Sequence, residues 1–491
     1  MSRNHLTFLR NGQKVQLDRV GPNETLLDYL RLREGSKGTK EGCNEGDCGA
    51  CTVAIGRMKN GKLIYEPVNS CIQLLGQIDG KDVVTVDDLA DDGELHPVQQ
   101  AMVDFHGSQC GFCTPGIVMS LFTLYHAGID ADRKNINDWL SGNLCRCTGY
   151  RPIADSALSA INGEAKDALA ERKSATRKVL KSLSGDKDMF IGDKERFFAA
   201  PASVKQLAKL YRAHSDATIV SGGTDVGLWI TKQLRDLPKI IHTGRAKDFA
   251  QVKKVPGGLK IGAGATYADA YDALAAIDPD IGEVLRRLGS RQVRASGTIG
   301  GNIANGSPIG DMPPLLIALD SELELIRGKK TRSLLLEEFF LDYGKQDREA
   351  GELVSAITVP KLKRNQHFRA YKISKRYDQD ITSVLGAFRF TISKGKITDA
   401  RIAYGGMAAT PKRGKTVENA LEGVDPADQE GVAVAARQLI RDFQPITDMR
   451  SSAEYRLKVA ENILRKSLLE ISVGNADASR IDNPRRLVEV D

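Results

Sequence analysis

No cysteine follows Cys147 in this chain of 491 residues, whereas the segment up to that point contains all eight. Long apolar runs are also missing. No segment approaches the roughly 18 apolar residues of a membrane span, and the N-terminus has no apolar core of signal-peptide length. We therefore expect a cytoplasmic protein without membrane contact. The net charge of +7 is small for this length and the basic residues are scattered, so nucleic-acid binding is not expected.

Histidine is scarce and dispersed. The seven histidines are spaced too widely to predict a metal site, and His96, His106 and His126 are expected to be packing or surface residues. No Ser-His-Asp or paired-carboxylate pattern stands out. The segment 262–266, GAGAT, lacks the third glycine of the G-x-G-x-x-G fingerprint, so a Rossmann dinucleotide site is disfavoured. The cysteines are therefore the main candidates for chemistry.

The first cysteine group has the spacing C-x4-C-x2-C with a distant fourth member, and it consists of Cys43, Cys48, Cys51 and Cys71. This spacing is typical of a plant-type [2Fe–2S] cluster. The glycine-dense loop from Gly35 to Gly49 would let backbone N–H groups approach the sulfides. Zinc ribbons usually show two C-x2-C pairs, which fits poorly here. Disulfides are disfavoured in a large chain without a secretion signal.

The second group combines C-x2-C with C-x-C and consists of Cys110, Cys113, Cys145 and Cys147. Taken alone, this spacing fits either zinc or an iron–sulfur cluster. Arg146 lies between the last two cysteines, where its cation would partly offset thiolate charge and could donate to a sulfide.

Periodicity predicts a β-hairpin over residues 5–20 and a helix from Glu24, followed by further strands that lead to Cys71. After Asp87 the pattern turns helical. Residues 164–190 are charged and poor in large apolar clusters, which predicts a linker. Short strands then alternate with helices, and a three-stranded meander begins near residue 366. Helical segments follow it.

The motifs GCNEGDCGACTV with Cys71, QCGFCTPG and NLCRCTGYRP resemble the two [2Fe–2S] domains of the molybdenum hydroxylases, the xanthine dehydrogenase family. The resemblance implies an α+β multidomain chain with four domains: a β-grasp ferredoxin domain (1–84), an all-α four-helix [2Fe–2S] domain (85–163), a FAD-binding domain of the vanillyl-alcohol-oxidase (PCMH) type (191–365) and a C-terminal α+β flavoprotein domain (366–485). In that family the second cluster lies nearer the molybdenum and the first nearer the flavin.

Two glycine-rich loops, 218–227 and 296–311, are either tight turns between strands or a pyrophosphate cradle. Their backbone N–H groups and the hydroxyls of Thr224, Thr298 and Ser307 suit the cradle, and Asp311 offers an acceptor for a ribose or adenine. The resemblance assigns FAD contacts to Ile219, Val220, Ser221, Gly222, Gly223, Thr224, Asp225, Val226, Thr298, Gly301, Asn302, Asn305, Asp311, Val354 and Lys372.

One position departs from the family pattern. Leu288 stands where eukaryotic members have a phenylalanine beside the flavin, so an aliphatic contact replaces ring stacking there. Tyr343 matches a tyrosine on the NAD side of the flavin. A further set of residues matches a mobile charged loop near the flavin, and we assign it no catalytic step: Lys375, Arg376, Asp378, Gln379 and Asp380.

The resemblance implies the iron–sulfur and FAD subunit of a xanthine dehydrogenase. Because the chain ends at Asp491, we expect the molybdopterin cofactor on a separate large subunit, in a dimer of heterodimers that is active only when complete. Electrons from hypoxanthine or xanthine would pass through two [2Fe–2S] clusters to FAD and then to NAD+. The alternatives are a subunit of an aldehyde or N-heterocycle hydroxylase, and a non-enzymatic module with structural zinc.

Overall fold

The computed structural model describes residues 2–473, so the end of the predicted 366–485 domain lies outside the described residues. The strands within this range are β1 Leu6–Arg10, β2 Gln13–Leu17, β3 Thr52–Lys59, β4 Lys62–Asn69, β5 Asp82–Val84, β6 Met189–Gly192, β7 Phe197–Ala200, β8 Thr218–Val220, β9 Lys239–His242, β10 Val252–Val255, β11 Gly258–Gly262, β12 Glu322–Arg327, β13 Lys330–Leu335, β14 Phe340–Asp342, β15 Lys345–Gln346, β16 Leu353–Pro360, β17 Gln366–Ile373, β18 Val384–Ser393, β19 Lys396–Gly405 and β20 Lys412–Arg413.

The α-helices of the same range are α1 Leu26–Asp28, α2 Pro97–Asp104, α3 Thr114–Tyr125, α4 Arg133–Leu140, α5 Arg151–Ala160, α6 Ala168–Leu183, α7 Val204–Ala213, α8 Val226–Thr231, α9 Tyr267–Ala275, α10 Pro279–Arg287, α11 Arg291–Ser296, α12 Ile299–Asn305, α13 Met312–Ala318, α14 Leu336–Phe339, α15 Lys415–Ala420, α16 Gln429–Ala436, α17 Leu439–Asp442 and α18 Ala453–Ser472. None of the described helices is both long enough and apolar enough to span a bilayer.

The chain folds as two compact units. The first comprises the chain up to Phe249 together with Gly289–Gly297, and the second comprises Ala250–Leu288 and the described chain from Thr298 onward. The predicted FAD-binding domain, 191–365, is therefore divided between the two units.

The first unit begins with a mixed five-stranded sheet of order β2-β1-β5-β3-β4. The predicted hairpin is confirmed, because β1 and β2 pair antiparallel around Asn11 and Gly12. Strand β5 pairs parallel with β1 and antiparallel with β3, which gives the β-grasp arrangement. Side chains such as Leu6 and Phe8 are fully buried, and this burial holds the sheet against the short helical turns that follow β2.

Helices α2 to α5 form the predicted four-helix domain. Their apolar faces meet in one core that includes Ile117, Phe122, Ile136 and Ile153. Three of the helices carry proline in the first turn, where its missing N–H has no intrahelical acceptor.

The prediction of a linker over residues 164–190 is wrong for most of its length. Helix α6 occupies Ala168–Leu183 and is capped by Asp167, whose carboxylate accepts the Ala170 N–H. Leu169 and Leu180 are buried in the core of the four-helix domain. The many charged residues of this segment lie on its exposed side, so its composition hides an amphipathic helix.

A four-stranded sheet of order β6-β7-β9-β8 completes the first unit. Its Phe198, Val220 and Ile240 share one buried core with Leu6 and Phe8 of the β-grasp sheet. The predicted boundary near residue 190 therefore does not separate two hydrophobic cores.

The second unit contains two antiparallel sheets, of orders β10-β11-β16-β12-β13 and β17-β18-β19-β20. The predicted meander is confirmed as β17, β18 and β19, and the short β20 extends it. Helices α15 to α18 contribute to its core, in which Phe388, Phe390 and Tyr404 are fully buried. Strand β11 leads through GAGAT into α9, but both of its neighbours are antiparallel. A Rossmann dinucleotide site, by contrast, follows a strand of a parallel sheet.

Candidate iron–sulfur and flavin sites

The structure brings the four cysteines of the first group together. The loop between α1 and β3 supplies three of them, and Cys71 follows the end of β4. The thiols of Cys48 and Cys71 are neighbours of the Cys43 thiol, and the Cys51 thiol neighbours that of Cys71. Sequence spacing alone could not show that Cys71 returns to the loop, but the β3–β4 hairpin places it there.

Backbone N–H groups point at these sulfurs. The N–H groups of Asp47 and Cys48 donate to Cys43 Sγ at 3.4 and 3.3 Å, and the Cys43 N–H donates to Cys48 Sγ at 3.3 Å. Hydrogen bonds from Cys48 and Cys71 hold the pKa of Cys43 well below its ordinary value. Convergent sulfurs with N–H donors fit a [2Fe–2S] cluster, in which such donors stabilise the ligated thiolates.

The second cysteine group also converges. Cys110 and Cys113 lie in the segment just before α3, and Cys145 and Cys147 lie in the loop between α4 and α5. Cys147 Sγ lies 3.5 Å from Cys110 Sγ. Burial, followed by a hydrogen bond with Cys145, raises the pKa of Cys113 to about 12. Four thiols in two close pairs fit a second cluster.

Two residues beside the second group support its loop. The Cys145 N–H donates to the Tyr150 hydroxyl at 2.7 Å, and Thr148 Oγ1 lies 3.2 Å from Cys145 Sγ. Arg146 is exposed, and the contacts described for residues 2–473 include no hydrogen bond from it to a sulfur. Its predicted influence on the thiolates stays a prediction.

The two groups differ in exposure. Cys51 and Cys71 of the first group are buried, whereas Cys110 and Cys147 of the second are exposed. The second group therefore reaches the surface of the first unit through two of its four cysteines, while Cys145 is buried.

The histidines His96 and His126, expected to be packing or surface residues, meet at one carboxylate. Their Nε2 atoms lie 2.9 and 2.8 Å from Asp167 Oδ2, and the three side chains are at most 6% exposed. The Val98 N–H donates to His96 Nδ1 at 3.1 Å, so His96 carries its proton on Nε2 and donates it to Asp167. A metal on that Nε2 would require a proton on Nδ1, so the contact is explained by hydrogen bonding.

The loop Ile219–Val226, which carries half of the predicted FAD contacts, runs from the end of β8 into α8. The Ser221 carbonyl accepts from Gln77 Nε2 at 3.0 Å, and the Ser221 hydroxyl accepts from Thr243 at 2.8 Å. Sequence reasoning did not find Gln77, which comes from the β-grasp region and carries no recognisable motif.

The same loop packs beside the first cysteine group. Leu228 contacts the buried cluster of Leu27, Cys51, Cys71 and Ile72. A Cβ on Gly227 would lie only 2.8 Å from the Ile72 Cβ, so the backbones approach closely here. The predicted flavin loop and Cys71 are therefore neighbours within the first unit.

In the second unit, Thr298 caps α12, and its Oγ1 accepts the Gly301 N–H at 3.0 Å. The N–H groups of Ile299 and Gly300 donate to the carbonyls of Ala265 and Ala263. This pairing joins the start of α12 to the GAGAT turn. Asn305 ends α12.

The Asn302 Oδ1 atom is buried, and it has no hydrogen-bond partner among the described residues. A buried amide oxygen normally finds a donor. An unfilled acceptor at this position fits a ligand that carries hydrogen-bond donors, as the ribityl and ribose hydroxyls of FAD do.

Asp311 and Lys372, both predicted FAD contacts, form a buried ion pair with each other. The Thr382 hydroxyl donates to the other oxygen of Asp311. Val354 and Leu288 are 5% and 8% exposed, and Leu288 is the C-cap of α10. The charged groups of Asp311 and Lys372 thus have partners within the chain, and their predicted roles toward FAD stay predictions.

Tyr343 lies in the turn between β14 and β15 and is 74% exposed. The charged loop after β17 is anchored at several points: Lys375 Nζ donates to the Met449 carbonyl at 2.8 Å, and Arg376 pairs with Asp380. Asp378 pairs with Arg286, and the Arg287 guanidinium lies 4.3 Å from the centre of the Tyr377 ring. Sequence reasoning did not identify Arg286 and Arg287 as anchors of this loop.

Four family profiles cover most of the chain. They are described as a 2Fe-2S iron-sulfur cluster binding domain over residues 8–71, a [2Fe-2S] binding domain over 85–158, a FAD binding domain in molybdopterin dehydrogenase over 193–362 and a CO dehydrogenase flavoprotein C-terminal domain over 369–471. The order of these domains agrees with the predicted fold class.

Several xanthine dehydrogenases are similar in sequence. That of Blastobotrys adeninivorans is 30% identical over 99% of this chain and 43% of its own length. That of Emericella nidulans is 32% identical over 88% of this chain and 36% of its own length, and the xanthine dehydrogenase/oxidase of Rattus norvegicus is 31% identical over 83% and 34%. The chain thus spans less than half the length of these relatives.

Among solved structures, a chain of the Cu,Mo-CO dehydrogenase in its cyanide-inactivated form matches with a TM-score of 0.53 and 27% identity, over 58% of this chain and 98% of its own length. A chain of quinoline 2-oxidoreductase from Pseudomonas putida 86 matches with a TM-score of 0.52 and 23% identity, over 56% of this chain and 96% of its own length. The latter likeness concerns the fold alone.

Proposed function

This chain belongs to the molybdenum hydroxylase family and carries its [2Fe–2S] and FAD regions, and on that premise we propose that it serves a xanthine dehydrogenase. Its role as an electron-transfer component follows from the two iron–sulfur domains and the FAD-binding domain. The substrate, the acceptor and the assembly are the proposal.

One observation carries the choice of xanthine dehydrogenase. The relative from Blastobotrys adeninivorans matches 99% of this chain, so both iron–sulfur domains and the flavin region occur in it in the same order. The CO dehydrogenase chain covers only 58%. Fusion of the iron–sulfur and flavin parts therefore favours a xanthine dehydrogenase over the CO dehydrogenase type.

The proposed partner is a large subunit that holds the molybdopterin cofactor. The region of this chain that resembles the CO dehydrogenase accounts for 98% of the matching solved chain, so in that enzyme this part stands as a polypeptide of its own. A heteromer of the same kind supports a separate molybdenum subunit here. A dimer of heterodimers and a cytoplasmic location belong to the same proposal.

The arrangement within the first unit supports a direction of transfer. Cys110 and Cys147 of the second group are exposed, whereas no cysteine of the first group is. Ile72, beside Cys71, contacts the α8 region next to Ile219–Val226. When bound, [2Fe–2S] clusters supply one-electron carriers and FAD supplies a two-electron carrier that can reduce NAD+. The chain holds these groups in the order in which electrons would move inward from a docked partner.

Residues proposed to contact FAD are the loop Ile219–Val226, and, in the second unit, Thr298, Asn302, Asp311 and Lys372 among the predicted set. Tyr343 is proposed to lie on the NAD side. A ribose hydroxyl or the ribityl chain would give the unpaired Asn302 Oδ1 a donor.

The test compares the purified chain with the chain co-expressed with its large subunit. The chain alone is expected to contain about four iron atoms, two for each cluster, to bind FAD, and to reduce artificial acceptors with NADH without oxidising xanthine. The complex is expected to oxidise hypoxanthine and xanthine with NAD+. Xanthine turnover by the chain alone would contradict the split arrangement.

Other outcomes select the alternatives. A complex that oxidises aldehydes or N-heterocycles but neither purine would assign a different hydroxylase of the family. A colourless chain that contains zinc instead of iron would contradict the electron-transfer role, because [2Fe–2S] clusters absorb visible light.

A further inference from the structure

The loops of the two cysteine groups touch each other directly. The Leu144 N–H donates to the Cys48 carbonyl at 2.9 Å. Leu144 precedes Cys145 in the chain. The path from Cys48 to Cys145 therefore consists of covalent bonds and this one hydrogen bond.

The contact between the two loops leaves no room for a side chain at position 49. Gly49, which follows Cys48, has a φ of +72°, and a Cβ there would lie 2.1 Å from the Gly142 carbonyl oxygen and 2.6 Å from Asn143 Nδ2. Any larger residue would push the two loops apart.

Asn143 ties the loops together beside this contact. Its Nδ2 donates to the Gly49 carbonyl at 3.2 Å, and its Oδ1 accepts from the Ser120 hydroxyl at 2.6 Å. Asn143 and Ser120 are 2% and 0% exposed. At such burial each hydrogen bond is electrostatically stronger than it would be in water.

Gln292, from helix α11, completes this network. Its Nε2 lies 3.0 Å from Asn143 Oδ1, 3.3 Å from Ser120 Oγ and 3.2 Å from Thr52 Oγ1. The Ser120 hydroxyl already donates to Asn143, and the Thr52 hydroxyl already donates to the Gly49 carbonyl at 2.6 Å. All three oxygens therefore face Gln292 as acceptors, which determines that its nitrogen, and not its oxygen, points at them.

The opposite end of the amide is unsatisfied. Gln292 is 1% exposed, and its Oε1 has no partner among the described residues. An apolar side chain of similar volume would avoid this buried, unpaired oxygen. Stability alone therefore does not explain an amide at this position. The three contacts of its nitrogen indicate that it positions the groups around it.

The residue beside Gln292 anchors the same segment. The Arg291 guanidinium lies 3.7 Å from the centre of the Trp139 ring, on the helix that leads to Asn143. Helix α11 is thus attached at two neighbouring points to the four-helix domain, and at Thr52 to the β-grasp domain.

We propose that Gln292 is a positioning residue that holds the Cys48 and Cys145 loops in one register and thereby sets the electronic coupling between the two [2Fe–2S] clusters. This inference rests on the proposed function in that both cysteine groups hold clusters. Gln292 touches neither cluster ligand and acts through Asn143, Thr52 and Ser120.

The test uses the full chain with its clusters assembled and the substitution Gln292→Met, which keeps the length of the side chain and removes the amide. The readout is the magnetic interaction between the two reduced clusters, measured by low-temperature EPR as spin–spin splitting or as relaxation enhancement of one signal by the other. The variant is expected to keep its iron content and the signal of each cluster. Its spin–spin splitting or relaxation enhancement is expected to differ from that of the wild type. Gln206→Met, on the exposed face of α7, is the matched control and is expected to match the wild type.

A second variant covers the case in which methionine prevents cluster assembly. Gln292→Glu keeps the shape but places a carboxylate oxygen against the same three acceptors, so it too is expected to alter the interaction while iron is retained. An unchanged interaction in an iron-replete variant, or no interaction in the wild type, would overturn the proposal. Iron loss from both variants would assign Gln292 a purely structural role and overturn it as well. A wild-type chain without two cluster signals would instead contradict the proposed function.

Discussion

Replacing Asp167 with alanine is expected to destabilise the first unit by about 4 to 7 kcal/mol. The carboxylate accepts from two buried imidazoles at 2.9 and 2.8 Å, and each hydrogen bond to a charged acceptor contributes about 1.5 to 3 kcal/mol. The same carboxylate caps α6 through the Ala170 N–H at 2.7 Å, which adds about 1 kcal/mol.

The electrostatics of the site agree with this estimate. Burial disfavours the charged form of Asp167, but the hydrogen bonds from His126 and His96 outweigh it and hold the pKa well below its usual range. The carboxylate thus stabilises the fold above the ordinary aspartate pKa, and this contribution is lost as the pH falls through the lowered value.

Asp132→Ala is the matched control, because Asp132 caps α4 through the Asn135 N–H but is exposed and binds no histidine. It is expected to cost only about 1 kcal/mol. Trp139 and Trp229, the two tryptophans of the chain, both lie in the first unit, so their fluorescence during urea unfolding reports on that unit. Equal losses in the two variants would refute the reasoning, since the histidine contacts would then contribute nothing.

Lys372→Met removes one partner of a buried ion pair and is expected to cost about 3 kcal/mol in the second unit. Arg327→Met, which breaks an exposed ion pair, is the control and should cost less than about 1 kcal/mol. The measurement is amide hydrogen exchange in peptides from β17 to β19, which should become faster in Lys372→Met but not in Arg327→Met. Burial lowers the pKa of His242 to about 3, so below its ordinary pKa the unfolded chain binds a proton that the folded chain does not. From about pH 7 to about pH 5 the wild type should therefore lose about 2 kcal/mol relative to His242→Phe, as measured by urea titration, and parallel pH profiles would contradict this. Cys48→Ser should lower the iron content to about half, with only the signal of the second cluster retained in EPR spectra, because each cluster has its own four ligands; loss of both signals would instead mean that the clusters assemble together.

Much of the architecture was predictable because it depends on short stretches of sequence. The Asn11-Gly12 turn with alternating residues on both sides indicated the first hairpin, and the strand pattern after residue 366 indicated the meander. The segment 164–190 was misinterpreted because its high charge suggested a solvated linker. Only the burial of Leu169 and Leu180 reveals the helix that it forms.

The ligand set of each metal site could be read from the chain, because the number, type and local spacing of cysteines are properties of the sequence. The motifs around the cysteines, and not their spacing alone, favoured iron–sulfur clusters over zinc for the second group. Contacts between distant segments became visible only in the folded chain: Leu144 against Cys48, Gln292 against Asn143, two histidines against Asp167, and Lys372 against Asp311. These partners are far apart in sequence, and no periodicity relates them. They are selected by the packing of complete domains, in which close approach and the need to satisfy buried polar groups leave few arrangements open.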